Sequence, residues 1–155
     1  MQIKFDGIME INSPVSAASS FLTNMGAVAK CIPDSDGFVQ TDETSFTMKI
    51  KVAMGLVGGI FELKGTMLEK RADHVAYNME GRGIGSSVKI MISFDLKDKD
   101  GSATEVPWTS TFDLSGLISG VGSTIIKKVS EEKINQVITN VKANIEASVK
   151  QNKTA

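Results

Sequence analysis

Apolar and polar residues alternate from the start of the chain. Ile3, Phe5, Gly7, Met9 and Ile11 share one parity, Gln2, Lys4, Asp6 and Glu10 the other, and only Ile8 breaks the rule. A period of two with one apolar face predicts a half-buried strand. Asn12-Ser13-Pro14 ends it, with Ser13 placed to cap a helix and Pro14 to occupy its first position. Val15, Ala18, Phe21, Leu22 and Met25 then recur at spacings of three and four, which predicts a short helix to about Asn24, ended by Gly26.

After the segment 27–33, Asp34-Ser35-Asp36-Gly37 reads as a turn into a strand near Phe38. The next run sets Phe46, Met48, Ile50, Val52 and Met54 against Ser45, Thr47, Lys49, Lys51 and Ala53. Gly55-Leu56-Val57-Gly58-Gly59 reads as a hairpin tip, with a return strand that points Phe61, Leu63, Gly65 and Met67 inward. Three more strands keep the alternation. Their inward sets are Val75, Tyr77, Met79, Gly81 and Gly83; Val88, Ile90, Ile92, Phe94 and Leu96; and Val106, Trp108, Ser110, Phe112 and Leu114. Asp98-Lys99-Asp100-Gly101 turns the chain between the last two.

From about Gly120 to Lys150 the period becomes helical, with Ile126, Val129, Lys133, Ile134, Val137, Ile138, Val141 and Ile145 on one face. A meander of strands with one apolar face has to be covered, and this helix is the cover. The expected fold is α+β: a curved antiparallel sheet of about seven strands around a long C-terminal helix, with a short helix after the first strand. Residues 1–150 form one domain and 151–155 a polar tail expected to fray.

Composition narrows the function. With 17 basic and 18 acidic residues the net charge is −1, so no global field exists to hold a nucleic-acid backbone. One cysteine, no leader-like opening and no apolar run near 20 residues lead to the expectation of a cytoplasmic protein with at most peripheral contact at the inner face of the membrane. His74, the only histidine, has no companion ligands, so no metal site is expected. Cys31 lies beside Ile32 and Pro33 and reads as a packing residue. Gly81-Arg82-Gly83-Ile84-Gly85 lies between two strands instead of opening a helix, so it is not a phosphate loop, and no cofactor is expected.

The order of elements resembles the helix-grip layout of the START and Bet v 1-like (SRPBCC) superfamily. Cys31-Ile32-Pro33, the run 51–59, Gly81-Arg82-Gly83-Ile84-Gly85 and Phe112-Asp113-Leu114-Ser115-Gly116 make the chain similar, over nearly its whole length, to the CoxG family of carbon monoxide dehydrogenase subunits. It departs at the hairpin tip, where Gly55-Leu56-Val57 stands in place of the common Gly-Pro-Val. The resemblance implies an accessory protein to a molybdenum-containing hydroxylase of the carbon monoxide dehydrogenase type. It also implies a cavity suited to a lipid or quinone-like molecule.

The inward strand positions carry no Asp, Glu, His, Lys, Arg or Cys, whereas general acid–base catalysis needs a titratable group beside its substrate. The face is apolar, includes several of the 8 methionines, and offers Tyr77, Trp108 and Ser110 as hydrogen-bonding groups, which is the inventory of a binding site. Two readings of Tyr77 and Trp108 stand at this point: orienting a ligand, or satisfying their own polar tips in a filled core. The expected ligand contacts on the strands are Phe46, Met48, Ile50, Met54, Phe61, Leu63, Tyr77, Met79, Ile92, Trp108, Ser110 and Phe112. Val129 and Val137 join from the long helix, and Leu56 with Phe21 and Met25 forms a gate between the tip 55–60 and the short helix. The inward glycines Gly7, Gly65, Gly81 and Gly83 are expected to leave space. Noncatalytic carriage of an apolar molecule is the leading expectation. An assembly or membrane-recruitment factor acting through its surface and a helix-grip cyclase or dehydratase are the alternatives.

Overall fold

The computed structural model describes the backbone of residues 1–154 and the side chains of residues 1–149. Its elements are β1 (Gln2–Ile11), α1 (Val15–Leu22), α2 (Met25–Ala29), β2 (Ser35–Gln40), β3 (Ser45–Met54), β4 (Val57–Arg71), β5 (His74–Gly83), β6 (Ser86–Asp95), β7 (Lys97–Lys99), β8 (Ala103–Gly116), a 3-10 helix (Leu117–Val121) and α3 (Ser123–Thr154). One antiparallel sheet contains every strand, in the order β1-β8-β6-β5-β4-β3-β2, with β7 paired to β8. The meander from β2 to β6 is thus extended by β8, and β1 closes the far edge by pairing with β8 from Gln2↔Asp113 to Ile11↔Thr104. The α+β helix-grip architecture is as expected.

Local details differ for identifiable reasons. Ser13 does not cap α1; Pro14 stands at the cap position, and Ser13 is buried with its carbonyl accepting from Thr104 Oγ1 at 2.8 Å. The single predicted helix is two, because the Asn24 side chain accepts from Ala27 N at 3.1 Å and starts a new one. Gly26 consequently lies inside α2 instead of ending α1. The turn 55–59 shrinks to Gly55-Leu56: Met54 pairs with Val57, and Gly55 takes φ 60° at the first turn position, where a tight hairpin favours glycine. The helix α3 is described past Lys150, where the sequence pattern ends it; Ala155 and the side chains from Lys150 onward lie outside the described residues.

The 32 residues of α3 span about 48 Å and cross the concave face. The helix packs on two apolar clusters, which the partly buried Ile3, Ile50 and Val88 join. One joins Met9, Ile11, Leu22, Phe46, Leu63, Tyr77 and Phe94 to Ile134, Val141 and Ile145. The other joins Met54, Phe61, Leu114 and Ile118 to Ile126. A main core with a smaller satellite cluster beside it is the usual arrangement in one domain.

Candidate functional site

A cavity of about 120 Å³ lies under α3 and borders both clusters. Its wall takes Phe46, Leu63, Tyr77, Ile92, Phe94, Phe112 and Ile134 from the first cluster and Met54, Phe61, Leu114 and Ile118 from the second. Strand alternation explains the wall: β3 contributes Phe46, Ile50, Val52 and Met54, and β6 contributes Val88, Ile90, Ile92 and Phe94, all of one parity within their strand. From α3 come Val129, Ser130, Lys133, Ile134 and Val137, one face of a helix. Val28 of α2 and Ile32 and Pro33 of the loop after it close the remaining side.

Of the residues expected from sequence, the structure brings together Phe46, Ile50, Met54, Phe61, Leu63, Tyr77, Met79, Ile92, Phe112, Val129 and Val137 around this space. Met25, Met48 and Trp108 are buried in the first cluster without lining the cavity, and Phe21 packs half-buried against the same cluster. Ser110 is buried away from the cavity. Leu56 is fully exposed at its turn. The expected gate between the tip and the short helix does not form. A Cβ at Gly55 would lie 3.6 Å from Val121 and 3.9 Å from Ile125, so the tip faces the beginning of α3.

The glycines do not create the space either. A Cβ at Gly7 would come within 2.9 Å of the Trp108 ring, and those at Gly65 and Gly81 would collide with Phe46 and Leu63. At Gly83 it would strike the backbone of Ile60 and Phe61. Large neighbours or close strands have taken up the room. Cross-strand register decides this, since Gly7 lies opposite Trp108 and Gly65 opposite Phe46.

Tyr77 settles which of its two readings holds. Its ring lines the cavity, but its hydroxyl donates to the Leu22 carbonyl at 2.5 Å, tying β5 to the end of α1. Burial pushes the phenol above its ordinary range, so it stays protonated as a donor. Replacing Tyr77 by phenylalanine strands a buried carbonyl, and a loss of about 1–3 kcal/mol is expected in urea unfolding with no change in ligand affinity. Cys31 is buried, its backbone carbonyl accepts from Asn140 Nδ2 at 2.9 Å, and desolvation pushes its thiol up to about 11 despite the Asn144 contact. That is a packing thiol. His74 lies between Asp95 at 2.6 Å and Glu69 at 3.3 Å in a surface ion cluster.

Sequence reasoning missed Ser130 on the wall, and it placed Lys133 on the inward face of the helix without counting it among the site residues. Ser130 is 1% exposed, and its hydroxyl has no hydrogen-bond partner among the described residues. Lys133 reaches the rim, where its ammonium meets Asp34 at 2.7 Å. Asp34 Oδ2 accepting from Lys133, with the cation's charge beside it, holds the aspartate below the usual carboxylate range. The pair clasps the Ile32-Pro33 loop to α3 across the lip of the cavity. Helical spacing carries a signal for Ser130: with Ile126, Ile134, Val141 and Ile145 it occupies the buried stripe of α3, and it alone among them is polar.

The family model of CoxG, described as a subunit of carbon monoxide dehydrogenase, matches residues 7–146. The chain belongs to the CoxG family. Among solved structures, this CoxG-family chain is similar to a conserved protein from Geobacillus kaustophilus, with a TM-score of 0.83 and 18% identity over 94% of this chain and 97% of that one. It is also similar to the Zhui aromatase/cyclase from Streptomyces sp. R1128 (TM-score 0.69, 12% identity, 96% of each chain). A START superfamily protein from Mycobacterium smegmatis gives a TM-score of 0.63 at 10% identity over 93% of this chain and 97% of that one. At these identities the likeness is one of fold. No curated protein matches the chain. Family and fold together support a ligand-binding or accessory role for this CoxG-family member. No described helix is long and apolar enough to cross a membrane.

Proposed function

We propose that this CoxG-family protein binds and carries an apolar small molecule, lipid or quinone-like, in the cavity under α3, as an accessory to a molybdenum-containing hydroxylase of the carbon monoxide dehydrogenase type. The observation that carries the reading is the cavity itself: apolar side chains from the sheet, α3, α2 and the loop after it surround a space that they do not fill. An apolar cavity of about 150 Å³ admits benzene. The 120 Å³ present here suits one ring or a short stretch of acyl chain, with the rest of a longer molecule leaving past the lip. Binding is favoured over a cyclase or dehydratase activity because, besides the Tyr77 phenol already bonded to Leu22, the wall supplies one hydroxyl and one ammonium that is already ion-paired. Organic-solvent extraction of gently purified protein, followed by mass spectrometry, is expected to release a lipid or isoprenoid. Protein that yields none, and takes up neither a quinone nor a fluorescent lipid in titration, overturns the carrier reading.

A second reading, recruitment to a membrane, has its own observation. Residues 114–126 contain no charged side chain, and from 52 to 61 and from 83 to 88 the chain is equally free of charge. These segments meet at one end of the molecule, where Gly55 approaches Val121 and Ile125, Gly59 approaches Ile84 and Gly85 approaches Leu117. Leu56, Ile60, Leu117 and Ile125 are exposed there. The bordering charges, Lys51, Arg82, Lys89 and Lys127 against Glu62 and Asp113, are mostly basic. Exposed apolar groups of this extent mark contact surfaces, and a basic border suits anionic lipid. Sedimentation with anionic vesicles that is lost in the Leu56→Ser, Leu117→Ser double variant supports recruitment, and sedimentation unaffected by it excludes this end.

A further inference from the structure

The carrier reading leaves open how a molecule reaches a space walled by a sheet and a helix, and the edge of β3 bears on that question. Of the strands that supply the wall, β4, β5, β6 and β8 lie inside the sheet with a strand on each side. β3 is flanked only as far as β2 accompanies it. That pairing ends at Ser35↔Ile50, and one further bond follows, Lys51 N donating to the Asp34 carbonyl at 2.9 Å. Val52, Ala53 and Met54 therefore present a free edge. Val52 and Met54 line the cavity from this edge, and Val129 and Lys133 line it from α3. Val52 and Val129 are half-buried against the second cluster, so side chains close the wall here without a strand beside them.

The first half of α3 is also lightly tied down. Asn140 and Asn144 bond the second half to Cys31, and Glu146 accepts from Asn12 N. From Ser123 to Val137 the described residues make one polar contact to another element, Lys133 Nζ donating to Asp34 Oδ2 at 2.7 Å. Gly122 precedes the helix at φ 109°, with nothing within 4 Å of the place a Cβ would take. A glycine so placed absorbs a change of backbone direction at little cost.

We infer that the ligand enters and leaves sideways, between the free edge Val52–Met54 and the α3 segment Ile125–Lys133, and that the Lys133–Asp34 pair is the latch on this portal. This rests on the carrier reading and adds its route. The pair spans one end of the gap; at the other, Gly55 lies against Val121 and Ile125, an apolar contact. Tilting α3 about its anchored second half, with Gly122 taking up the change, moves Val129 away from the strand edge. That motion breaks one ion pair and no strand pairing. Partly exposed ion pairs are weak, so the latch holds the portal without locking it.

Exchange of ethylbenzene with the full chain, followed by NMR, reads the route. Asp34→Asn removes the latch charge while keeping a residue that tolerates the left-handed backbone at φ 59°. It is expected to speed entry and release together, about two- to fivefold. Added salt should speed exchange in the natural protein and not in this variant, because screening weakens only the intact pair. Val52→Phe enlarges the side chain that closes the gap and is expected to slow release about fivefold. With an entrance elsewhere the same ring only crowds the ligand, and release that is unchanged or faster overturns the portal. Exchange that neither Asp34→Asn nor salt alters overturns the latch. In both cases ethylbenzene still binds and the carrier reading stands; if the natural protein does not bind it, both fail.

Discussion

Replacing Gly116 by alanine is expected to cost about 3–5 kcal/mol, a large part of the 5–15 kcal/mol that holds a domain of this kind folded. Gly116 ends β8 at φ 88° and ψ −152°, a region of backbone space that glycine alone occupies without strain. A Cβ there would also collide with the carbonyl of Gly85 and the Cα of Ser86, which are backbone atoms and cannot swing aside. The same junction is held by Leu117 N donating to the Gly85 carbonyl at 3.1 Å and Ile118 N donating to Ser86 Oγ at 2.8 Å. Forcing the junction open breaks those bonds, frees the 3-10 helix and loosens the start of α3 over the second cluster. The check is urea unfolding, where the midpoint falls with the slope unchanged. A loss below about 1 kcal/mol would mean that the junction tolerates a different backbone path.

Val137→Phe is expected to weaken ethylbenzene binding more than tenfold while the melting temperature stays level or rises. Val137 is half-buried on the cavity-facing side of α3, and a phenyl ring in its place takes up much of the 120 Å³ beneath it. In a filled core the same change would overpack neighbours at about 1–3 kcal/mol and lower the melting temperature. The two outcomes have opposite signs. Thermal denaturation and probe titration of the one variant therefore test whether the space is open in solution. Intact binding beside a lowered melting temperature would refute the cavity.

Most of the wall is legible from parity, because a strand's inward residues are fixed once its alternation is read. Phe46, Ile50 and Met54, or Ile92 and Phe112, need nothing more. Parity does not say which inward residue meets a gap and which meets a neighbour, and the differences between expectation and structure come from that limit. Gly7 and Gly65 are expected to open space, yet register sets them opposite Trp108 and Phe46, whose rings lie over them. Trp108 is spent on that packing and never reaches the ligand space. Met48 shares the parity of Phe46 and Ile50 but is buried elsewhere in the first cluster. The short helix divides at Asn24, where a residue that starts one helix follows directly on the end of another, and apolar spacing runs through that break without marking it. Ser130 escapes a search for apolar periodicity because such a search collects only apolar residues, although its spacing places it on the buried face.

The pairing of β1 with β8 bears on how the chain emerges from the ribosome. Strands β2 to β6 find their partners as soon as each hairpin is synthesised, whereas the sheet partner of β1 spans residues 104–113. At about 5–20 residues per second, β1 waits on the order of 5–20 s with its alternating apolar face unpaired. The first strand made is among the last to join the sheet, and during synthesis it is the segment most in need of a chaperone.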